Sequence, residues 1–329
     1  MTGAREGVTA SEAHAAWASY RLWPRMLRDV SAVATSTTLL GTTYGIPLGV
    51  APTSLQRCAD PEGERAMARA TRTAGAPHVV SSNAGFPFAA IAAVGGPWWL
   101  QAYLTTDRAA CLPMLEAAVA AGAEAVVLTV DTPFPGTKYG VADADWVGVD
   151  LSWHRCNYPS GTAAGQRGDW ARDVGPEDLA WLAEQTGVPV VVKGILRPDD
   201  ADTCVQAGAA AVWVSNHGGR QLDRSVATAH VLPTVVEAVD GRAEVYVDGG
   251  VGSGIDLVTA LALGADAAFV GRLPWLALAA GGESEVRAVL GRLTEELVET
   301  MRLAGSADPA SCRGLTGPAE GPSEARIGR

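Results

Sequence analysis

The residues best equipped for chemistry lie together in the run Ser215-Asn216-His217-Gly218-Gly219-Arg220-Gln221-Leu222-Asp223. An imidazole exchanges a proton near neutral pH. A guanidinium offers a fixed fork for a carboxylate or phosphate. Gly218 and Gly219 carry no side chains, so a flat ligand can approach the backbone there. The bland alternative is a strand-to-helix turn with a satisfied histidine, which is the better reading of an isolated His. Nine residues combining a base, a cation, several amides and two glycines favour a site instead.

Three other stretches carry chemistry. Lys193 closes the apolar run Val188-Pro189-Val190-Val191-Val192, where it must reach solvent or meet an anion. Asp131 stands in Thr129-Val130-Asp131-Thr132-Pro133, where a plain turn before proline is the competing account. Asp248-Gly249-Gly250 and Gly271-Arg272 each follow an apolar run. Glycines at both, with one bidentate cation, favour phosphate binding over two tight turns.

These residues need elements that bring them together. Eight short apolar runs, each read as a buried strand, begin near Pro47, His78, Trp98, Ala125, Val188, Ala209, Glu244 and Ala267. A helix-like stretch follows most of them; the last, Glu283 to Leu303, closes the domain. Repeated strand-then-helix units predict parallel strands in a closed (β/α)8 TIM barrel, with chemistry at the C-terminal strand ends. An open doubly wound sheet is the alternative, weakened by the lack of a strand-linked Gly-x-Gly-x-x-Gly near the N-terminus. The barrel is expected over residues 24–304. Residues 1–23 are expected to be loosely held, and 305–329 to form a flexible tail. The long fourth βα loop, 134–175, contains Tyr139, Trp146, Trp153, Tyr158 and Trp170. Aromatics argue against disorder, so this loop is read as a lid or pocket wall.

The totals exclude several classes. A net charge of −11 argues against nucleic acid and anionic membranes as partners. No apolar run reaches the ~20 residues of a spanning helix, and the first residues lack the apolar core of a signal peptide; a cytoplasmic enzyme is expected. The 5 Cys are scattered without a Cys-x-x-Cys pair, so neither disulfides nor a metal site is expected.

The signature Ser215–Asp223 resembles that of the FMN-dependent α-hydroxy acid oxidases and dehydrogenases, and the resemblance runs from about Pro24 to Ala304. It implies FMN as cofactor, a small anionic substrate, oxygen as acceptor and a tetramer. It implies that His217 is the catalytic base, that Asp131 stabilises its protonated form, and that Lys193 lies by the flavin edge where negative charge gathers on reduction. Arg220, Tyr103 and Lys138 would bind substrate. Pro52, Thr53, Ser54, Ser81, Gln101, Thr129, Ser215, Gly218, Asp248, Gly249, Gly250, Gly271 and Arg272 would join Lys193 around FMN.

The chain departs from the family pattern in four places. The helical region that supplies a substrate-binding Tyr has no counterpart before Pro24. Lys138 stands where a second substrate Arg is usual, and lacks the planar fork. Gly252 stands where a phosphate Arg is usual. Asn83 and Ser54 replace a bulky aromatic and a small residue of the pocket. The expected reaction is therefore two-electron oxidation of a hydroxylated substrate larger than glycolate or lactate, aromatic or biosynthetic. Alternatives are a flavin barrel enzyme with another net reaction (isomerisation or decarboxylating oxidation), a non-enzymatic flavin binder, and a flavin-free phosphosugar barrel.

Overall fold

The structure is a computed structural model that describes residues 2–141, 150–159 and 169–317. Ahead of the barrel come α1 (Val8–Ala18), β1 (Arg21–Leu22) and a hairpin of β2 (Thr37–Leu39) and β3 (Thr42–Tyr44). The barrel strands are β4 (Leu48–Val50), β5 (Val79–Ser81), β6 (Trp99–Ala102), β7 (Val126–Thr129), β8 (Val190–Ile195), β9 (Ala211–Val214), β10 (Glu244–Val247) and β11 (Ala267–Val270). Between and after them lie α2 (Gln56–Ala59), α3 (Gly63–Ala74), α4 (Phe88–Ala92), α5 (Leu112–Ala120), α6 (Glu177–Thr186), α7 (Pro198–Gln206), α8 (Thr228–Val239), α9 (Gly254–Ala262) and α10 (Arg272–Ala304), which is broken at Gly281 and Gly282. A two-residue strand, β12 (Thr316–Gly317), pairs with β1.

The eight barrel strands are parallel and ordered β4-β11-β10-β9-β8-β7-β6-β5. A parallel bridge between Val50 and His78 closes the ring, with Val50 N donating to Pro77 O at 2.9 Å. The expected (β/α)8 barrel is what forms.

Side chains alternate across each strand. One set packs outward against the helices. The other fills the interior with Val79, Trp99, Val127, Val191, Trp213, Tyr246 and Phe269, and the hairpin plugs the bottom with Leu39 and Tyr44. Trp213 and Phe269 lie 4.0 Å apart between ring centroids. Gly49 makes room: a Cβ there would stand 2.2 Å from Phe269 Cε1. Two residues further along each strand, the inward positions change character and become the floor of the mouth.

Two expectations fail here. The described part of the first segment, residues 2–23, is not loosely held. Trp17 of α1 is buried, and its Nε1 donates to Gly249 O at 2.8 Å. Tyr20 Oη donates to Ala229 O at 2.9 Å. Nor does the tail leave the body at Gly305. Cys312 and Leu315 are buried, and Arg25 donates to Ser311 O and Arg313 O at 2.7 and 2.8 Å. Residues 318–329 lie outside the described residues.

Candidate active site

The inward row above the aromatic core is polar: Ser81, Gln101, Thr129, Lys193, Ser215 and Asp248, all buried. Each follows an interior core residue two positions earlier, so the pleat that packs the barrel also aims these groups at its C-terminal end. Lys193 Nζ donates to Ser215 Oγ at 2.6 Å and pairs with Asp248 Oδ2 at 3.0 Å. Ser215 Oγ in turn donates to Asp248 Oδ1 at 2.7 Å. Asp248, expected at the phosphate end of the cofactor, neutralises a buried ammonium here, since a buried cation needs a partner.

The expected His–Asp pair forms. His217 Nδ1 lies 2.9 Å from Asp131 Oδ1, and Thr132 Oγ1 donates to the same oxygen at 2.8 Å. Burial works to raise the Asp131 carboxyl. The His217 charge and hydrogen bond, with Lys193 and Thr132, outweigh it and hold the group below the ordinary carboxylate range. With Nδ1 tied to Asp131, the other ring nitrogen is left to exchange protons. The backbone at His217 is left-handed (φ 57°) and continues so through Gly218 and Gly219; His217 N donates to Ser215 Oγ at 3.0 Å. A residue the sequence reading passed over makes the pair possible. Gly194 (φ 116°) sits at a register shift in β8, and a Cβ there would stand 2.7 Å from Asp131 Cβ.

The substrate candidates fare differently. Arg220 Nη1 donates to Thr2 O at 3.0 Å. Tyr103 stacks on Trp170 with centroids 4.3 Å apart, so part of the long fourth loop lies against the end of β6; Ala171 N donates to Leu104 O at 2.8 Å. Trp146 of that loop lies outside the described residues. Lys138 Nζ donates to Gly136 O and Arg220 O, both at 2.6 Å. Its amine braces the catalytic loop, which differs from the substrate contact expected of it.

The glycines are also hemmed in by protein. A Cβ on Gly219 would lie 2.6 Å from Ala10 N, and one on Gly250 2.6 Å from Ala13 O, so α1 occupies that space. A Cβ on Gly218 would stand 3.0 Å from Arg272 Nη2, and one on Gly249 2.9 Å from Thr228 Oγ1. These positions allow close packing of protein on protein; any ligand contact there is through backbone. Arg272 Nη2 donates to Gly218 O at 2.9 Å, at the start of α10 and next to Gly271. Pro52, Thr53 and Ser54 follow β4 at the same rim, half-buried, and Thr53 accepts from Gln56 Nε2 at 3.1 Å.

The mouth fits a flat hydrogen-bonding ligand. Gln101 Nε2 and Thr129 Oγ1 are buried there without a protein partner, and buried polar groups are normally paired. Gln101 keeps only its oxygen engaged, accepting from Ser81 Oγ at 3.2 Å. An isoalloxazine edge presents the carbonyls and ring nitrogens these atoms lack, and the N-terminus of α10 with Arg272 suits its phosphate.

The comparisons agree with this geometry. The profile of a family described as FMN-dependent dehydrogenase matches residues 1–315. The chain is 42% identical over 308 residues to 4-hydroxymandelate oxidase of Amycolatopsis orientalis, covering 89% of this chain and 85% of the relative. It is 38% identical over 326 residues to glycolate oxidase of Spinacia oleracea, covering 95% and 87%. Among solved structures, a mandelate oxidase variant with (S)-mandelic acid superposes with a TM-score of 0.89 at 38% identity, covering 97% of this chain and 92% of that one. Another, with the C4a-OH-FMN adduct, gives 0.88 at 37% identity, covering 97% and 93%.

Proposed function

The chain belongs to the FMN-dependent dehydrogenase family, and from that premise we propose that it oxidises an aromatic 2-hydroxy acid of the mandelate type to the 2-oxo acid, with oxygen as final acceptor. The observation that carries the reading is the His217–Asp131 pair, 2.9 Å apart at the end of the barrel. Bound FMN supplies a two-electron acceptor. Gln101, Thr129, Lys193 and the backbone after Ser215 would hold its ring, and Arg272 with the start of α10 would hold its phosphate. Ser81 orients Gln101 from behind.

The protein's own work is positional and acid–base. His217 takes a proton from the substrate as its electrons leave, and Asp131 stabilises the resulting imidazolium. Lys193, held by Ser215 and Asp248, keeps a fixed positive charge in a buried site and stabilises negative charge that develops beside it. Arg220 binds the substrate carboxylate. The stacked Tyr103 and Trp170 supply an aromatic wall against which an aryl group packs. With Lys138 committed to backbone oxygens, the carboxylate has one guanidinium rather than two.

Purified protein with FMN, mixed anaerobically with (S)-mandelate or 4-hydroxymandelate, is expected to bleach with one equivalent of acid and to release peroxide when air returns. Faster turnover of glycolate or lactate would overturn the substrate assignment. Conversion of a substrate without stoichiometric bleaching would point to an isomerase on the same barrel.

A further inference from the structure

We propose that Asp223 is a positioning residue for carboxylate binding: by capping helix α1 from within the catalytic loop, it fixes the place of Arg220. The inference rests on the functional reading above, in which Arg220 takes the substrate carboxylate. Helix α1 has no cap of its own, since its N-cap residue is Gly7 at φ 77°. Asp223 supplies one from far along the chain. Its Oδ2 accepts from Glu6 N at 3.2 Å and Gly7 N at 3.1 Å, and its Oδ1 from Thr9 N at 3.1 Å. A carboxylate at a helix N-terminus meets both unpaired N–H groups and the positive end of the dipole.

The joint is reinforced on either side of Arg220. Ala4 N donates to Gly219 O at 2.8 Å, and Gly219 has no room for a Cβ against Ala10. Thr9 Oγ1 donates to Ser225 O at 3.0 Å. The Arg220 guanidinium donates to Thr2 O at 3.0 Å, while Lys138 holds the Arg220 carbonyl at 2.6 Å. The residues before α1 thus run along the loop that carries both His217 and Arg220. At its far end α1 contacts the next loop through Trp17 and Gly249. Releasing the Asp223 end frees the strap that the guanidinium rests on. It leaves the His217–Asp131 contact, which is made to the loop after β7, intact.

The test uses the FMN-loaded protein and its Asp223→Ala and Asp223→Asn variants. Glu6→Ala, which removes only the exposed ion pair with Arg224, is the control. Anaerobic flavin reduction is followed with (S)-mandelate and with its uncharged amide. Asp223→Ala is expected to weaken apparent mandelate affinity about tenfold, the scale of a lost charged cap, with the limiting rate and flavin content little changed. The amide, which has no carboxylate for Arg220, is expected to change less than about threefold in affinity. Asp223→Asn should fall between wild type and Asp223→Ala, and it carries the comparison if Asp223→Ala does not fold. Equal losses on both substrates, a lower limiting rate at unchanged affinity, or no change at all would overturn the proposal. If wild-type flavin stays oxidised with every hydroxy acid, the functional reading fails instead. Titration with phenylacetate, read by the flavin spectrum, then still decides whether Asp223 governs carboxylate binding.

Discussion

In the proposed mechanism proton transfer depends on one contact, His217 Nδ1 to Asp131 Oδ1 at 2.9 Å. Asp131→Asn keeps the shape and loses the charge, so it is expected to slow anaerobic flavin reduction by roughly 10²–10⁴-fold with FMN still bound. A second histidine makes the opposite use of burial. His78 is buried at the start of β5 with Nε2 unpartnered, and burial pushes it down to about 4. The unfolded chain takes up that proton near pH 6.5, the folded protein only near 4. Between those values the unfolded state binds more protons, so acid favours unfolding. The loss begins as pH falls below about 6.5, is complete below about 4, and amounts to roughly 3 kcal/mol. Urea titrations from pH 7 to 4 should show this slope in the wild type and a shallower one in His78→Met. Much at this scale was legible in sequence, because a base, a cation and an apolar run are visible without partners. Asp248 was not. Beside two glycines it reads as a phosphate turn, and only the fold reveals the buried Lys193 it neutralises.

The barrel strands were readable as elements because strands buried on both faces become short apolar runs, and their polar last residues mark the mouth. The hairpin Thr37–Tyr44 was not, since four threonines hide its role as the plug under the barrel. Helix α1 was missed for a related reason: its cap lies 214 residues away from Thr9 in sequence. The protein neighbours of the glycines were not readable, because a missing Cβ signals close approach without saying of what. Gly49 offers a direct check at this scale. Gly49→Ala would drive a methyl into Phe269 and is expected to cost about 1–3 kcal/mol by overpacking, measured as a lowered urea midpoint. Adding Phe269→Leu should recover part of that loss, since the two sites share one space.

The whole molecule is acidic, at −11, yet the mouth of its barrel gathers Lys193, Arg220 and Arg272. The protein therefore attracts an anionic ligand by local cations, so raising salt should weaken binding only modestly once the ligand is enclosed. The two ends of the described chain pack on different parts of the barrel. α1 packs on the catalytic and neighbouring loops, and the segment after Gly305 folds back to pair β12 with β1. The proposed oxidation depends on His217 drawing a proton from a 2-hydroxy acid beside a bound flavin. Its most direct test is anaerobic mixing of FMN-loaded wild type and His217→Ala with (S)-mandelate, watching the flavin absorbance. Stoichiometric bleaching in the wild type, with a rate at least about a hundredfold lower in the variant, is the predicted result. Equal bleaching in both proteins, or none in the wild type, would contradict it.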